Sequence, residues 1–223
     1  LASTTRAQRG RLLDHVSEAY GHAPFSQLRE KHVLKDLDAF AGHVANNRLK
    51  AWRGLLSWAV EARLIAADPS EAIRKRRTPR SDGHAPWTDE DVAAFRDHWP
   101  IDAPQRLAFE LLHWTGARVS DAVKLGDHVV ASDGFLTFKQ ETTGGAAYVP
   151  FRRHLPAFAA AMQPDLDFLH EALDARQSRH VIFLTTATGA PRSVKAVSGW
   201  FASAARAAGL VDRTGHGLRK TRA

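Results

Sequence analysis

The spacing of apolar positions along the chain changes character several times. From Ser3 to Tyr20 it is helical, with Ala7, Leu12, Leu13, Val16 and Ala19 on one stripe and Ser3 or Thr4 placed to cap it. Gly21-His22-Ala23-Pro24 breaks this pattern. A second helix is expected from His32 or Val33, carrying Leu34, Leu37 and Phe40 toward a core. A third, over about Asn46 to Arg63, aligns Leu49, Trp52, Leu55, Leu56, Ala59 and Val60 and leaves Arg48, Lys50, Arg53 and Arg63 on other faces. Ala67-Asp68-Pro69-Ser70 stops it, and Ser70 is expected to cap a short helix through Ile73. Three or four such helices make a small bundle with a basic exterior.

Between Arg74 and Pro86 neither period holds, and five basic residues, two prolines and a glycine read as a linker. Thr88 followed by Asp89, Glu90 and Asp91 is a helix start. A helix from about Ala103 to Trp114 buries Leu107, Ala108, Leu111 and Leu112 and ends at Thr115-Gly116, where glycine suits a left-handed turn. A short helix begins near Val119. The period then shortens: Phe135 to Gln140 and Ala146 to Pro150 alternate around a glycine-containing tip and predict a hairpin. Helices are expected over about His154 to Met162 and Asp165 to Ala175, a short buried strand or extended run at Val181 to Leu184, and an alanine-rich helix from Val194 to Ala208.

At 223 residues the chain has room for one large domain or two smaller ones. No apolar run approaches a membrane span. With no cysteine, disulfides, thiolate metal sites and cysteine nucleophiles are excluded. No histidine pair has metal-ligand spacing on a helix, and no glycine-rich phosphate loop is present. The net charge of +7 is unevenly spread: residues 1–85 hold 15 Lys and Arg against 9 Asp and Glu, and the remainder 16 against 15. A strongly basic helical segment joined to a near-neutral one suggests a grip on a polyanion. Its expected phosphate contacts are Arg48, Lys50, Arg53, Arg74, Lys75, Arg76 and Arg77.

The chemistry concentrates in two places. Thr115-Gly116-Ala117-Arg118-Val119-Ser120-Asp121 sets an arginine just past a glycine break, with an acid three residues on. His216-Gly217-Leu218-Arg219 sets a histidine and an arginine on one helical face. Two arginines and a histidine about a hundred residues apart can converge on one phosphate, since guanidinium is planar, permanently charged and able to bond two phosphate oxygens at once.

TGARVSD, a hairpin with a polar glycine tip, FLTTATGAPRS and HGLRKT, in that order over residues 86–223, resemble the tyrosine recombinases, or phage integrases. The basic helical segment before them is similar to that family's core-binding domain. The resemblance implies a mainly α fold with a small β-hairpin or three-stranded sheet: a helical DNA-binding domain over residues 1–78, a basic linker over 79–86, and an integrase-like catalytic domain over 87–223 that lacks its C-terminal part.

It further implies that Arg118 and Arg219 clamp the scissile phosphate, that His216 contributes a hydrogen bond or proton transfer there, and that Asp121 supports the first arginine. Two positions depart from the family. Thr142 stands where a hairpin lysine is expected, Lys139 being placed on the opposite face of the strand. Neither Tyr20 nor Tyr148 fits the pattern of the nucleophile. The expected partner is double-stranded DNA, bound as a homo-oligomer without cofactor, metal or membrane, in the cytoplasm or nucleoid of a bacterium or from a phage. The expected function is that of a DNA-binding fragment of a site-specific recombinase that holds a phosphate without cutting. The alternatives are a non-catalytic DNA-binding or regulatory module, including a decayed integrase, and a helical protein–protein module.

Overall fold

A computed structural model describes residues 3–79, 82–176 and 180–221, with the side chains of residues 3 and 4 outside that description. The two candidate caps of the first helix therefore lie outside it, as do Arg80 and Ser81 of the expected linker. The chain divides into two compact units, Leu1–Ser81 and Asp82–Ala223.

The first unit is built from α1 (Ser3–Tyr20), α2 (Glu30–Asp38) and α3 (Gly42–Glu61), with a single 3-10 turn at Phe25–Gln27. Val16, Val33, Leu37, Leu49, Trp52, Leu56 and Ile73 form its core. Leu34, expected inside, is exposed, because Val33 and Leu37 occupy the inward face of α2 and Leu34 is turned away from it. Residues 69–72 form a turn rather than a capped helix. There Asp68 Oδ1 accepts from both the backbone N–H and the hydroxyl of Ser70, each at 2.7 Å, a side-chain closure that competes with helix.

In the second unit α4 (Asp89–His98) starts with the expected reciprocal cap. Asp91 N–H donates to Thr88 Oγ1, and Thr88 N–H donates to Asp91 Oδ2. Helix α5 (Pro104–Thr115) is the buried centre of the unit and ends at Gly116, whose φ of 56° is the left-handed turn that the sequence called for. Then come α6 (Val119–Ala122), the antiparallel pair β1 (Phe135–Lys139) and β2 (Ala146–Pro150), α7 (Gln163–Ala175), α8 (Val194–Ala207) and α9 (Gly215–Thr221). The hairpin pairs Phe135 with Pro150 and Lys139 with Ala146.

Two expectations are corrected in this unit. Residues 154–156 are not helical and Ala157–Met162 is 3-10, since the residue before a proline, here Leu155, is driven out of the helical region. The run at Val181 to Leu184 makes only a single bridge, Ile182 to Gly126. Phe183 and Leu184 are buried, whereas Val181 is exposed. Gly126 permits that bridge because a Cβ there would lie 1.9 Å from Val181 O.

The core of the second unit centres on aromatic rings. Phe95 stacks on Phe109 at 4.6 Å and on Phe201 at 5.7 Å, with Trp87 against all three. Glu110, wholly buried, receives Arg96 at 2.7 Å and Arg106 at 2.6 Å, and Arg96 also reaches Asp165 at 2.9 Å. This network ties α4, α5 and α7 together.

Candidate functional site

The left-handed turn at Gly116 releases the chain from α5 so that Arg118 becomes the residue before α6. Its side chain is half-buried, and Nη1 donates to Gln140 Oε1 at 3.0 Å at the end of β1. Thr143 Oγ1 donates to the same oxygen at 3.1 Å. Asp121 is buried on α6 but does not pair with Arg118. Its Oδ1 accepts the backbone N–H of Glu141 at 3.0 Å, fixing the hairpin beside Gln140. Asp121 is thus linked to the Arg118–Gln140 pair through the hairpin backbone rather than by direct contact with Arg118. Its Oδ2 is buried with no hydrogen-bond partner among the described residues.

Helix α9 carries the other half. Gly215, Gly217 and Leu218 face inward, while His216 and Lys220 are exposed and Arg219 is half-buried. A Cβ on Gly217 would lie 2.1 Å from Ala85 O, so glycine lets the segment before α4 lie directly on the helix. That segment is fastened at both ends of α9. Trp87 Nε1 donates to Thr214 O at 3.0 Å, and Trp87 N–H donates to Thr221 Oγ1 at 2.9 Å. Arg213, just ahead of the helix, bonds Asp91 at 2.6 Å.

These contacts bring the two sequence motifs together. Arg219 Nη1 donates to Gly116 O, two residues before Arg118. The His216 imidazole is held below its ordinary pKa by desolvation, by the neighbouring His84 imidazole and by the positive charges of Lys220, Arg219 and Arg118. The result is a concentration of positive charge on one face. Among the described residues neither clamp arginine is paired with a carboxylate. Their acceptors, an amide oxygen and a backbone carbonyl, orient the guanidinium without neutralising it.

The basic residues of the first unit fall into three groups. Arg48, expected on the exterior, is 4% exposed and gives Nε and Nη2 to Asp36 at 2.5 and 2.7 Å, while Trp52 Nε1 donates to Asp36 at 2.7 Å. Its donors are spent inside the fold, and it offers nothing to an outside phosphate. Arg76, expected in a free linker, is anchored instead. It bonds Asp38 and Phe40 O, and its backbone exchanges hydrogen bonds with the Asn46 side chain. The remaining group faces water. Lys50, Arg74, Lys75 and Arg77 are exposed, and Arg53 donates to Ile73 O at 2.7 Å while keeping its charge uncompensated. Lys50 and Arg53 join Arg9 of α1 around an open groove of about 570 Å³ that Asp68 and Glu71 also border.

Arg9, His84 and Lys220 were not singled out from the sequence. Lys220 had a signal, since it follows His216 by four residues on the same helical face. His84 had none, because its neighbours lie 130 residues away.

Among the described residues no cluster of His, Asp or Glu is placed to hold a metal ion, and no helix is long and apolar enough to cross a membrane. No curated protein matches the sequence with significance. Solved structures do. A lambda integrase dimer (residues 75–356 of that protein) bound to a COC′ core site matches over 99% of this chain and 81% of that one, with 22% identity and a TM-score of 0.76. A longer lambda integrase chain on the same site matches with a TM-score of 0.77, and there this chain spans 63% of its length. The Tn1549 transposon integrase in complex with circular intermediate DNA matches with a TM-score of 0.63 at 13% identity, over 99% of this chain and 80% of that one. At these identities the likeness shows the fold: mainly helical, with a small two-stranded sheet. The family model described as the phage integrase family matches residues 90–223. The chain belongs to the phage integrase family.

Proposed function

We propose that this chain is the DNA-holding part of a site-specific recombinase, with Arg118, His216 and Arg219 gripping one backbone phosphate. The observation that carries the reading is the meeting of two arginines and a histidine, a hundred residues apart in sequence, with no carboxylate among the partners of the arginines. Lys50, Arg53, Arg74, Lys75 and Arg77 of the first unit contact further phosphates along the duplex, joined by Arg9. In that division residues 1–78 serve as the DNA-binding domain and residues 87–223 as the domain that holds the scissile phosphate. Arg48 is not part of this set. Arg76 contributes less, because Asp38 already occupies part of its guanidinium.

In the parent reaction a strand is cut through a 3′-phosphotyrosine and rejoined. The Arg118 and Arg219 guanidinium groups would oppose the charge that builds on the non-bridging oxygens as the phosphorus becomes pentacoordinate. Tyr20 belongs to α1 of the first unit and Tyr148 to β2; in this reading neither is the nucleophile, and residues 1–223 hold the phosphate rather than cut it. Thr142, exposed at the hairpin tip, favours a second reading as a non-catalytic DNA-binding module. Lambda integrase is seen as a dimer and as a tetramer on DNA, which supports assembly of this chain into a homo-oligomer on its duplex, in the nucleoid.

The test is duplex binding across a salt series, followed by incubation with a nicked suicide duplex. Binding that weakens steeply with salt, and weakens further in an Arg118→Gln, Arg219→Gln variant, is expected. Salt-insensitive binding, or binding indifferent to both substitutions, overturns the reading. A covalent protein–DNA adduct overturns the statement that the chain does not cut.

A further inference from the structure

The segment before α4 read as linker from its composition, yet it packs on the site. The His84 ring lies 4.9 Å from that of His216, tilted by 56°. Its Nδ1 lies 3.1 Å from Thr214 Oγ1. That hydroxyl already accepts the Gly217 N–H at 3.1 Å at the start of α9, so its single hydrogen is free to point at His84. In the neutral ring Nδ1 is then the acceptor and the proton sits on Nε2. The next residue back, Gly83, is close to the Lys220 ammonium: a Cβ there would lie 3.3 Å from Nζ. Gly217 and Trp87 hold the intervening backbone against α9, so the ring pair belongs to a fastened arrangement.

We propose that His84 is a positioning residue of the phosphate site, holding the His216 imidazole and coupling its protonation to the arrival of the phosphodiester. This deepens the function proposed above and rests on it. Two imidazoles in ring contact, with Arg118 from the start of α6 and Arg219 and Lys220 of α9 itself adding positive charge around His216, disfavour a proton on His216 while the site is empty. A phosphate reverses the balance, because its negative charge stabilises whichever imidazolium forms beside it. Binding of DNA therefore takes up protons, and His84 is one of the groups that sets how many. No bond is made or broken in this step: a proton moves from solvent to an imidazole nitrogen, and the bound phosphate offsets its charge.

The experiment follows the histidine ring resonances of the full chain by NMR across a pH series, with and without a short mixed-sequence duplex. Wild type is compared with His84→Gln and His84→Lys. In the absence of DNA, His216 is expected to titrate at higher pH in His84→Gln than in wild type, whereas His84→Lys, which carries a fixed positive charge, holds it down. On adding duplex, fewer protons are taken up by His84→Gln than by wild type near neutral pH. A His216 midpoint identical in all three proteins overturns the proposal, since a merely structural His84 would give that result. An Arg118→Gln control in the same duplex titration separates the two readings. If it binds as wild type, the phosphate site itself fails, while the His84–His216 coupling is still decided by the DNA-free series.

Discussion

Replacing Arg48 by methionine tests whether this residue is a fold element or a DNA contact. In the structure Asp36 is 3% exposed and receives three donors, two from Arg48 and one from Trp52. Arg48→Met removes two of them together with the only positive charge that Asp36 contacts among its hydrogen bonds. It leaves a carboxylate in a nearly dry interior with one indole N–H. Breaking a buried ion pair from one side destabilises by about 3–5 kcal/mol, because the remaining charge keeps its desolvation penalty and loses its partner. The core of the unit is small, centred on Val16, Val33, Leu37, Leu49, Trp52, Leu56 and Ile73, and small domains are stable by roughly 5–15 kcal/mol in total. The substitution should therefore bring the first unit close to unfolding at room temperature. Urea denaturation, followed by the fluorescence change as Trp52 becomes solvated, gives the shift.

A companion variant, Asp36→Leu with Arg48→Met, removes both charges and is expected to recover most of the loss, short of about 1 kcal/mol for the unpaired Trp52 N–H. Lys50→Ala should do the opposite of Arg48→Met. Stability changes by less than about 0.5 kcal/mol, while the slope of log affinity against log salt falls by about 0.9 for one lost phosphate contact. A stable Arg48→Met protein with a reduced salt slope would refute the reasoning.

Three further outcomes are expected. Gly217→Ala, whose Cβ would collide with Ala85 O, should destabilise the second unit by about 1–3 kcal/mol and lower duplex affinity by displacing His216. Gly199→Ala on the exposed face of α8, where a Cβ meets nothing within 4 Å, should stabilise by up to about 1 kcal/mol; equal melting curves for the two variants would sink the packing argument. Because the folded pKa of His216 lies below its ordinary 6.5, the unfolded chain takes up that proton first as pH falls. Stability attributable to His216 is thus fully present above 6.5 and declines as pH drops through its folded value. A His216→Gln variant should flatten this part of the stability–pH profile, read by thermal melts at closely spaced pH. Duplex affinity, with the opposite sign, should rise over that same interval as pH is lowered, and a pH-independent dissociation constant would contradict the proton uptake.

The helices, the hairpin and the two halves of the site were legible because their signals are local. A threonine three residues before an aspartate, a glycine after an apolar stripe and alternation around a glycine tip each decide a backbone conformation within a few residues. The failures at Arg48, Arg76 and His84 involved partners distant in sequence, whereas those at residues 69–72 and 154–162 were local, set by the Asp68–Ser70 contact and by the proline after Leu155. Arg48 sits at helical spacing from Ala45 and Trp52, so the stripe 45, 48, 49, 52, 56 already contained it. A charged residue on such a stripe reads as exterior until its partner is known, and Asp36 is on another helix. Arg76 and His84 looked like linker because composition there is all that sequence offers. Arg76 is anchored by Asp38 and Asn46, and His84 by Thr214 and His216, contacts that exist only once the chain has folded back. The contact through which Asp121 acts, the Glu141 backbone N–H, was likewise illegible, because it forms only when the hairpin folds back onto α6.

The acceptors chosen by each arginine separate those that build this protein from those that can act. Arg48, Arg96, Arg106 and Arg213 all bond carboxylates at 2.5 to 2.9 Å, and each joins two elements or closes a helix turn. Their charge is cancelled where it stands, and a passing phosphate would have to compete with an existing bidentate or short contact. Arg118 and Arg219 are held as firmly in direction, by Gln140 Oε1 and Gly116 O, but by neutral groups. An uncompensated charge at a half-buried position is unfavourable for the empty fold, and the Lys220 ammonium nearby adds to that. Folding tolerates the arrangement because both guanidinium groups stay partly open to solvent and hydrogen-bonded. Under the proposed function the same arrangement would give an incoming phosphodiester more than any paired arginine could, since no ion pair has to be broken first. Converting Gln140 to Glu should therefore leave the fold intact, as Arg118 keeps its acceptor, and still weaken duplex binding by placing a negative charge where the site needs none. If Gln140→Glu binds duplex as tightly as wild type, neutrality of the acceptor is not what leaves Arg118 available.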